Sequence, residues 1–263
     1  RQRSTLTTVC GFREILLLDW SRLRRLMQFP DERLVFIDLE TGGGEPWRPI
    51  MQLAAIAVDA GLRELETLEM KLRFQRHKVY PGCLRKAHYS PDVWAREAIS
   101  EREAGRRFSE FLKRHATVDL ISADGRGYRV AQLVAHHATF DATFLSAWFK
   151  RLDRFLPAHP RVLCTHQRAL WLFHEDKSLC PPADYQLGTL CQFFGVRLKN
   201  HEAHEALSDV RATVALYRAM TACGHAIRRV KPTEVSGGDC VTPFRSELVE
   251  SASHLSSKLV ETA

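Results

Sequence analysis

Hydrophobic residues recur along this chain with two different spacings. Apolar runs rich in β-branched residues occupy 33–39 and 50–58, and 62–74 alternates more loosely; such runs are typical of β-strands. Short connections separate the three runs, so we expect them to form a meander. Apolar positions at helical spacing mark 12–29 instead, and Pro30 ends the helix that this spacing predicts.

The rest of the chain alternates short strands with amphipathic helices. A turn at Asp124-Gly125 predicts a hairpin over 117–130. Further strands are predicted at 132–135 and 162–165, and helices at 91–115, from about 141 onwards, and at 166–174, 186–194 and 206–222. Strands that cluster early and later alternate with helices predict an α/β fold, a three-layer sandwich in which helices flank a five-stranded mixed sheet.

The same patterns divide the chain into three parts. Residues 1–32 form a predicted N-terminal helical extension, and residues 33–223 hold the α/β domain. Residues 224–263 contain Pro232, the run Ser236-Gly237-Gly238 and several Ser and His residues, so we expect a flexible tail.

The overall charge indicates what kind of partner the chain could take. Its formal net charge of +7 suits a polyanion such as nucleic acid, although a basic excess of this size also occurs in proteins without such a partner. No apolar run approaches the roughly 20 residues that cross a bilayer, so we expect no membrane association.

The cysteines indicate the redox environment. Their number, seven, is odd and they form no C-x-x-C pair, which argues against a disulfide framework or a structural zinc site. Reduced thiols in the cytoplasm are the simplest interpretation. The basic start of the chain lacks the apolar segment of a secretory signal, but its composition also fits a mitochondrial presequence.

Acidic residues stand where predicted elements begin or end. Asp38 and Glu40 close the first strand, and because alternate side chains of a strand share one face, both carboxylates can converge on one point. Asp141 opens the helix after strand 132–135, and Asp209 lies in the first turns of the last helix. Each acid alone also fits a solvated strand end or a first-turn acid that the helix dipole favours.

Taken in order, these segments resemble the three motifs of the DEDDh exonucleases, the family of the proofreading subunit of bacterial DNA polymerase III and of ribonuclease T. The first motif is similar to FIDLETGG, the second to LVAHHATFDATFL and the third to HEALSDVRAT. A D-x-E-T-G motif alone is a weak signal, whereas the ordered triple, which runs from about Leu34 to Ala222, is specific. The resemblance implies a ribonuclease H-like fold for 33–223.

The resemblance also implies a metal-dependent 3′→5′ exonuclease that releases nucleoside 5′-monophosphates. Asp38, Glu40, Asp141 and Asp209 would hold two divalent ions, Mg²⁺ or Mn²⁺, since hard oxygen ligands suit these ions and crowded carboxylates need a compensating charge. His204, five residues before Asp209, would be the general base. His201, three residues further upstream, is the competing candidate.

Substrate contacts are assigned by the same resemblance to residues beside the acids: Leu39, Thr41, Gly42, His137 and Phe140. Phe140 fits stacking on a sugar or base and core packing equally well. His137 stands where the family usually has Asn, which bears on nucleotide preference. Gly43 and Gly44 are expected only to loosen the following turn. The segment 71–89 carries six Lys or Arg and no acid, which suits a phosphate backbone or a solvated loop.

Several functions remain open at this point. Single-stranded DNA 3′ ends are the leading substrate, and trimming of RNA or short oligonucleotides is the first alternative, because tolerance of the 2′-hydroxyl is not visible in the sequence. A nucleic-acid-binding module without catalysis and another carboxylate-rich metal hydrolase are weaker alternatives. A polymerase partner would be a separate chain. The oligomeric state is not predicted.

Overall fold

The first three strands form an antiparallel meander, as the sequence predicted. The computed structural model describes residues 32–197 and 205–227, and the structural statements below concern those residues. The strands are β1 (Leu34–Thr41), β2 (Ile50–Val58) and β3 (Glu64–Lys71). β2 is buried along its whole length, since it lies between two strands and both faces of the sheet are covered there.

Two further strands complete a mixed sheet. They are β6 (Gln132–Ala135), which pairs in parallel with β1, and β7 (Leu163–Cys164), which pairs in parallel with β6. The sheet order β3-β2-β1-β6-β7 confirms the predicted five-stranded mixed sheet. The predicted hairpin is present as a separate two-stranded sheet of β4 (Val118–Ile121) and β5 (Gly127–Val130), whose turn needs a positive φ of 80° at Gly125.

Helices cover both faces of this sheet. They are α1 (Pro81–Lys86), α2 (Pro91–Glu97), α3 (Glu101–Arg114), α4 (Ala138–Arg151), α5 (Thr165–Glu175), α6 (Leu187–Phe193) and α7 (Ala206–Ile227). The sequence predicted all of them except α1, which follows a short 3₁₀ turn at Arg76–Lys78. The predicted N-cap of α3 is confirmed, because the Ser100 hydroxyl accepts a hydrogen bond from the Glu103 N–H.

Alternate residues of β1 face different helices. Val35, Ile37 and Leu39 lie in the main core with α3 and α4, whose large buried side chains include Phe108 and Trp148. On the other face, Phe36 packs against α7 through Val210 and Val214. Since side chains two residues apart share a face, Asp38 and Glu40 continue the line of Phe36 towards α7.

Some predictions concern residues outside the described ranges. The predicted helix 12–29, His201, His204 and most of the predicted tail lie there, so the three-part division stays a prediction. At the tail boundary α7 continues to Ile227, four residues into the segment predicted as tail. Among the described residues, no helix is long and apolar enough to span a membrane. Cys83, Cys164, Cys191 and Cys223 are free thiols, as expected, but the expectation of reduced thiols is wrong for Cys180, which is disulfide-bonded.

Candidate metal centre

Three of the four predicted acids meet at one end of the sheet. One carboxylate oxygen each from Asp38, Glu40 and Asp209 lie within 4.8 Å of one another. β1 supplies the first two on one face, and α7 supplies Asp209 from its first turn, held there by the packing of Val210 against that face. These three residues are called the acid cluster below.

Asp141 reaches the same region from the other side of the sheet. β1 and β6 run parallel, so their carboxyl ends lie at the same edge, and α4 starts directly after β6. Asp141, in the first turn of α4, is only 3% exposed. Burial, and then the nearby charge of Asp38, raise its pKa well above the usual range. Asp141 therefore interacts with the acid cluster, although its carboxylate is not one of the three whose oxygens lie within 4.8 Å of one another.

The acid cluster is electrostatically strained when it is ionised. Burial, and then Asp209, raise the pKa of Asp38 to about 8. Burial raises the pKa of Glu40 to about 8 as well, with further increases from Asp38 and Asp209 and an opposing effect from Lys86. Crowded buried carboxylates need a compensating positive charge to ionise at neutral pH.

A hard divalent cation fits this donor set. All donors of the acid cluster are carboxylate oxygens, which suit Mg²⁺ or Mn²⁺ rather than ions that prefer thiolate or imidazole. Asp141 adds a further carboxylate beside them. The arrangement can hold hard cations next to a phosphate group, because the oxygens converge at the open carboxyl edge of the sheet.

His136, which the sequence reasoning passed over, links β6 to α5 and to Tyr185. Its Nε2 faces the Tyr185 carbonyl at 3.0 Å and therefore donates, so Nδ1 accepts from the Thr165 hydroxyl at 2.9 Å. Burial, and then His137, lower the pKa of His136 to about 4. His136 is thus a neutral side chain with both ring nitrogens in use.

His137 has the backbone conformation that this position requires. It caps α4 with φ 57° and ψ 45°, the left-handed region that Asn, Asp and His enter more readily than other side chains. Its ring centroid lies 3.9 Å from that of His166, a neighbour that the sequence gave no reason to select. Burial, and then His137, lower the pKa of His166. The replacement of the family's usual Asn by His is therefore compatible with the local fold.

Some of the predicted substrate residues expose their side chains to solvent and others do not. The Leu39 side chain is buried in the main core, and the Thr41 hydroxyl donates to the Gly43 carbonyl at 2.7 Å. Phe140 is 38% exposed beside Phe144, so it is not a core residue. The structure thus brings Phe140 and His137 to the surface around Asp141, whereas the side chains of Leu39 and Thr41 are used within the protein.

The glycines after Glu40 allow close packing. Gly42 donates its N–H to the Pro49 carbonyl, and a Cβ there would lie 3.0 Å from Val79 Cγ2. At Gly43 a Cβ would lie 2.3 Å from Arg48 Cδ, whereas at Gly44 it would meet nothing within 4 Å. The expectation that Gly43 only loosens the turn is wrong, because Arg48 occupies the space that a side chain would need.

Comparison with known proteins agrees with this geometry. Residues 126–217 match the exonuclease family model, which spans the second and third motifs. The chain carries a domain of the exonuclease family. The first motif lies outside that match, and the meeting of Asp38 and Glu40 with Asp209 connects it to the exonuclease domain.

Two relatives illustrate the range of this family. A PolC-type DNA polymerase III from Bacillus subtilis is 35% identical over 203 residues, 76% of this chain but 12% of that protein. Ribonuclease T from Marinobacter nauticus is 28% identical over 191 residues, 70% of this chain and 79% of that protein. The chain thus spans a small part of the polymerase relatives that it matches.

Solved structures confirm the ribonuclease H-like fold of the exonuclease domain. Escherichia coli Exonuclease I in complex with a dT13 oligonucleotide superposes with a TM-score of 0.56 at 19% identity, over 75% of this chain and 42% of that one. A zinc-bound form of its complex with single-stranded DNA gives a TM-score of 0.59 at 18% identity, over the same shares. At this identity the likeness shows the fold alone.

Proposed function

We propose that the chain is a metal-dependent 3′→5′ exonuclease that removes nucleoside 5′-monophosphates from single-stranded DNA. The observation that carries this proposal is the acid cluster. Its three carboxylates come from the start and the end of the domain's sequence, and one oxygen of each lies within 4.8 Å of the others. Burial and the neighbouring carboxylates raise the pKa of Asp38 and Glu40 to about 8, so the fold holds these acids where a cation would stabilise them.

The roles of the acids follow from their chemistry. Asp38, Glu40, Asp141 and Asp209 would hold two Mg²⁺ or Mn²⁺ ions, which when bound polarise the scissile phosphate and make its attack by water easier. Leu39 and Thr41, through backbone groups, and Gly42 would border the terminal nucleotide. Phe140 and His137 are placed at the surface beside Asp141, where an aromatic ring and an imidazole can contact its sugar or base.

His204 is the proposed general base. It would accept the proton of the attacking water on a ring nitrogen, a role that suits the unperturbed imidazole pKa near 6.5. His136 does not suit this role, because both of its ring nitrogens are hydrogen-bonded and its pKa is lowered to about 4. His201 remains the competing base.

RNA is the second candidate substrate. The similarity to ribonuclease T covers 79% of that protein, whereas the similarity to the Bacillus subtilis polymerase covers 12% of that one. DNA comes first because other relatives are named DNA polymerases and because the fold matches Exonuclease I complexes with single-stranded DNA. The similarity to PolC-type polymerases also supports a polymerase as a protein partner.

The test uses the full chain and 5′-labelled single strands of DNA and RNA. We expect a ladder that shortens from the 3′ end with Mg²⁺ or Mn²⁺ and no products with EDTA. Asp38→Ala should lower the rate by at least about 100-fold, since even partners that only orient a metal ligand cost 10–100-fold. Asp119→Ala is the matched control, because Asp119 is an exposed acid paired with Arg129 on the separate hairpin.

His204→Ala should lose most turnover and keep metal binding, whereas His201→Ala should keep turnover. The reverse result would assign the base to His201. Products that persist in EDTA or in Asp38→Ala would overturn the proposed mechanism. Binding of the strand without any product under either metal would instead favour a binding module.

A further inference from the structure

Two large aromatic rings face solvent close to the chain segment that follows Glu40. Trp47 is 60% exposed and Tyr80 is 47% exposed. The Arg48 guanidinium carbon lies 4.4 Å from the Trp47 ring centroid and 3.5 Å from that of Tyr80. We call these two rings, with the Arg48 guanidinium against them, the aromatic platform. Exposed aromatic groups of this kind mark binding surfaces more often than isolated apolar side chains do.

The aromatic platform is held in a fixed arrangement. Arg48 is only 7% exposed; its Nε donates to Glu45 Oε2 at 2.6 Å and its Nη1 to the Lys78 carbonyl at 2.8 Å. The Tyr80 hydroxyl donates to the other oxygen of Glu45 at 3.1 Å. The absence of a side chain at Gly43 lets Arg48 pack this closely. A preorganised surface loses little conformational freedom when a ligand binds.

The aromatic platform is connected to the strand that carries the acid cluster. Tyr80 caps α1 and donates its N–H to the carbonyl of Gly42, two residues after Glu40. Lys86 is the last residue of α1 and is exposed. Two residues of chain span at most about 7 Å, so Gly42 lies close to Glu40, and a single strand with its 3′ end at the acid cluster can reach the aromatic platform.

The charges around the platform indicate the class of ligand. Glu45 already neutralises Arg48, so the platform itself offers ring faces rather than charge. Lys78, Arg85 and Lys86 are exposed, and within the described residues none of them forms an ion pair with an acid. This combination of exposed rings and unpaired basic groups suits single-stranded nucleic acid. Its bases can stack on the rings, and its phosphates can contact the positive charges.

We propose that the aromatic platform is a binding subsite for the single strand upstream of the cleaved end. In this subsite bases stack on the exposed rings of Trp47 and Tyr80 while Lys78, Arg85 and Lys86 contact the phosphates. The inference rests on the proposed exonuclease function for the position of the 3′ end. It also assigns a function to the basic segment 71–89. The sequence left two interpretations of this segment open, contact with a phosphate backbone and a solvated loop.

The experiment measures binding and cleavage separately, with the full chain. Anisotropy of a 5′-labelled dT12 in EDTA gives the Kd, and turnover of dT12 and of a dT dinucleotide with Mg²⁺ gives kcat/KM. Trp47→Ala and Tyr80→Ala should each weaken dT12 binding by about 10-fold, the loss typical of one stacked base. Trp47→Phe should bind nearly as the wild type does. Dinucleotide turnover should fall less than dT12 turnover, because the dinucleotide offers a single nucleotide upstream of the cleaved bond.

Trp171→Ala is the matched control and should change nothing. Trp171 is 63% exposed on α5, so the variant removes an equally exposed indole from a different surface. Wild-type binding of dT12 by Trp47→Ala would overturn the subsite, and so would an equal loss for dT12 and the dinucleotide. If wild type fails to cleave while Trp47→Ala still weakens binding, the proposed function fails and the subsite stands.

Discussion

The acids of the cluster have pKa values that link stability to pH. In the unfolded chain Asp38 and Glu40 ionise near their ordinary pKa of about 4. In the folded chain burial and the neighbouring carboxylates hold both pKa values at about 8. Between these values the folded state keeps protons that the unfolded state has lost, so the free energy of unfolding falls as pH rises from about 4 to about 8. Below and above this window the contribution is constant.

Thermal unfolding in EDTA should show this dependence. We expect the melting temperature to fall from pH 5 to pH 8, and the fall to be smaller with Mn²⁺, because a bound cation stabilises the ionised acids. Asp38→Asn should reduce the fall in EDTA, whereas Asp119→Asn should not, since Asp119 lies in an exposed pair with Arg129. A melting temperature in EDTA that rises steadily from pH 5 to pH 8 would contradict the account of the acid cluster.

Gly43 and Gly44 provide a second test with an internal control. A Cβ at Gly43 would overlap Arg48 Cδ at 2.3 Å and lie 2.8 Å from Tyr80 Cδ2, whereas one at Gly44 meets open space. Gly43→Ala should destabilise the fold by about 1–3 kcal/mol, the usual cost of overpacking. Gly44→Ala should be within about 0.5 kcal/mol of the wild type. Urea unfolding measures both, and equal stabilities would show that Arg48 does not pack against Gly43.

At the scale of elements, periodicity predicted most of the fold. The apolar runs of β1 and β2 and the amphipathic spacing of α3 and α7 are local signals, and the structure has these elements where the sequence places them. α1 was missed because six residues are too few for a helical period, and the part it buries, Cys83 and Leu84, packs on a small separate cluster.

The candidate site could be predicted from the sequence only in part. Asp38 and Glu40 share a face by strand period alone, but only the order of the three motifs connected them with Asp141 and Asp209. The pairing of His137 with His166 and of Arg48 with Tyr80 joins residues that are about 30 positions apart in the chain. No local pattern encodes such contacts, so these parts of the site required the structure.

The start of α4 illustrates how one backbone conformation sets an element boundary. α4 begins at Ala138 rather than at 141 because His137 turns the chain with a positive φ. His137→Asn should keep the stability of the wild type, since Asn enters this region readily. His137→Val should cost about 1–2 kcal/mol, because a left-handed conformation brings Cβ too close to the following carbonyl. Chemical denaturation measures both, and equal stability of the Val variant would refute this explanation of the helix start.

At the scale of the whole molecule, the domain collects distant segments around one edge of the sheet. The first motif precedes the match to the family model, which covers 126–217, and the fold closes this gap by pairing β1 in parallel with β6. The basic segment 71–89 meets the chain just after β1, where the Tyr80 N–H donates to the Gly42 carbonyl. The proposed cleavage site and the proposed strand-binding subsite therefore both adjoin the chain around the end of β1.

The most direct test of the central claim is to identify the first product released from a 3′-labelled single strand by the full chain at increasing Mg²⁺ concentration. We predict a labelled nucleoside 5′-monophosphate whose formation requires the metal and falls at least about 100-fold in Asp209→Asn. A longer labelled fragment, or mononucleotide release that is the same in EDTA and in Asp209→Asn, would contradict the claim that the acid cluster is a metal centre that cleaves 3′ ends.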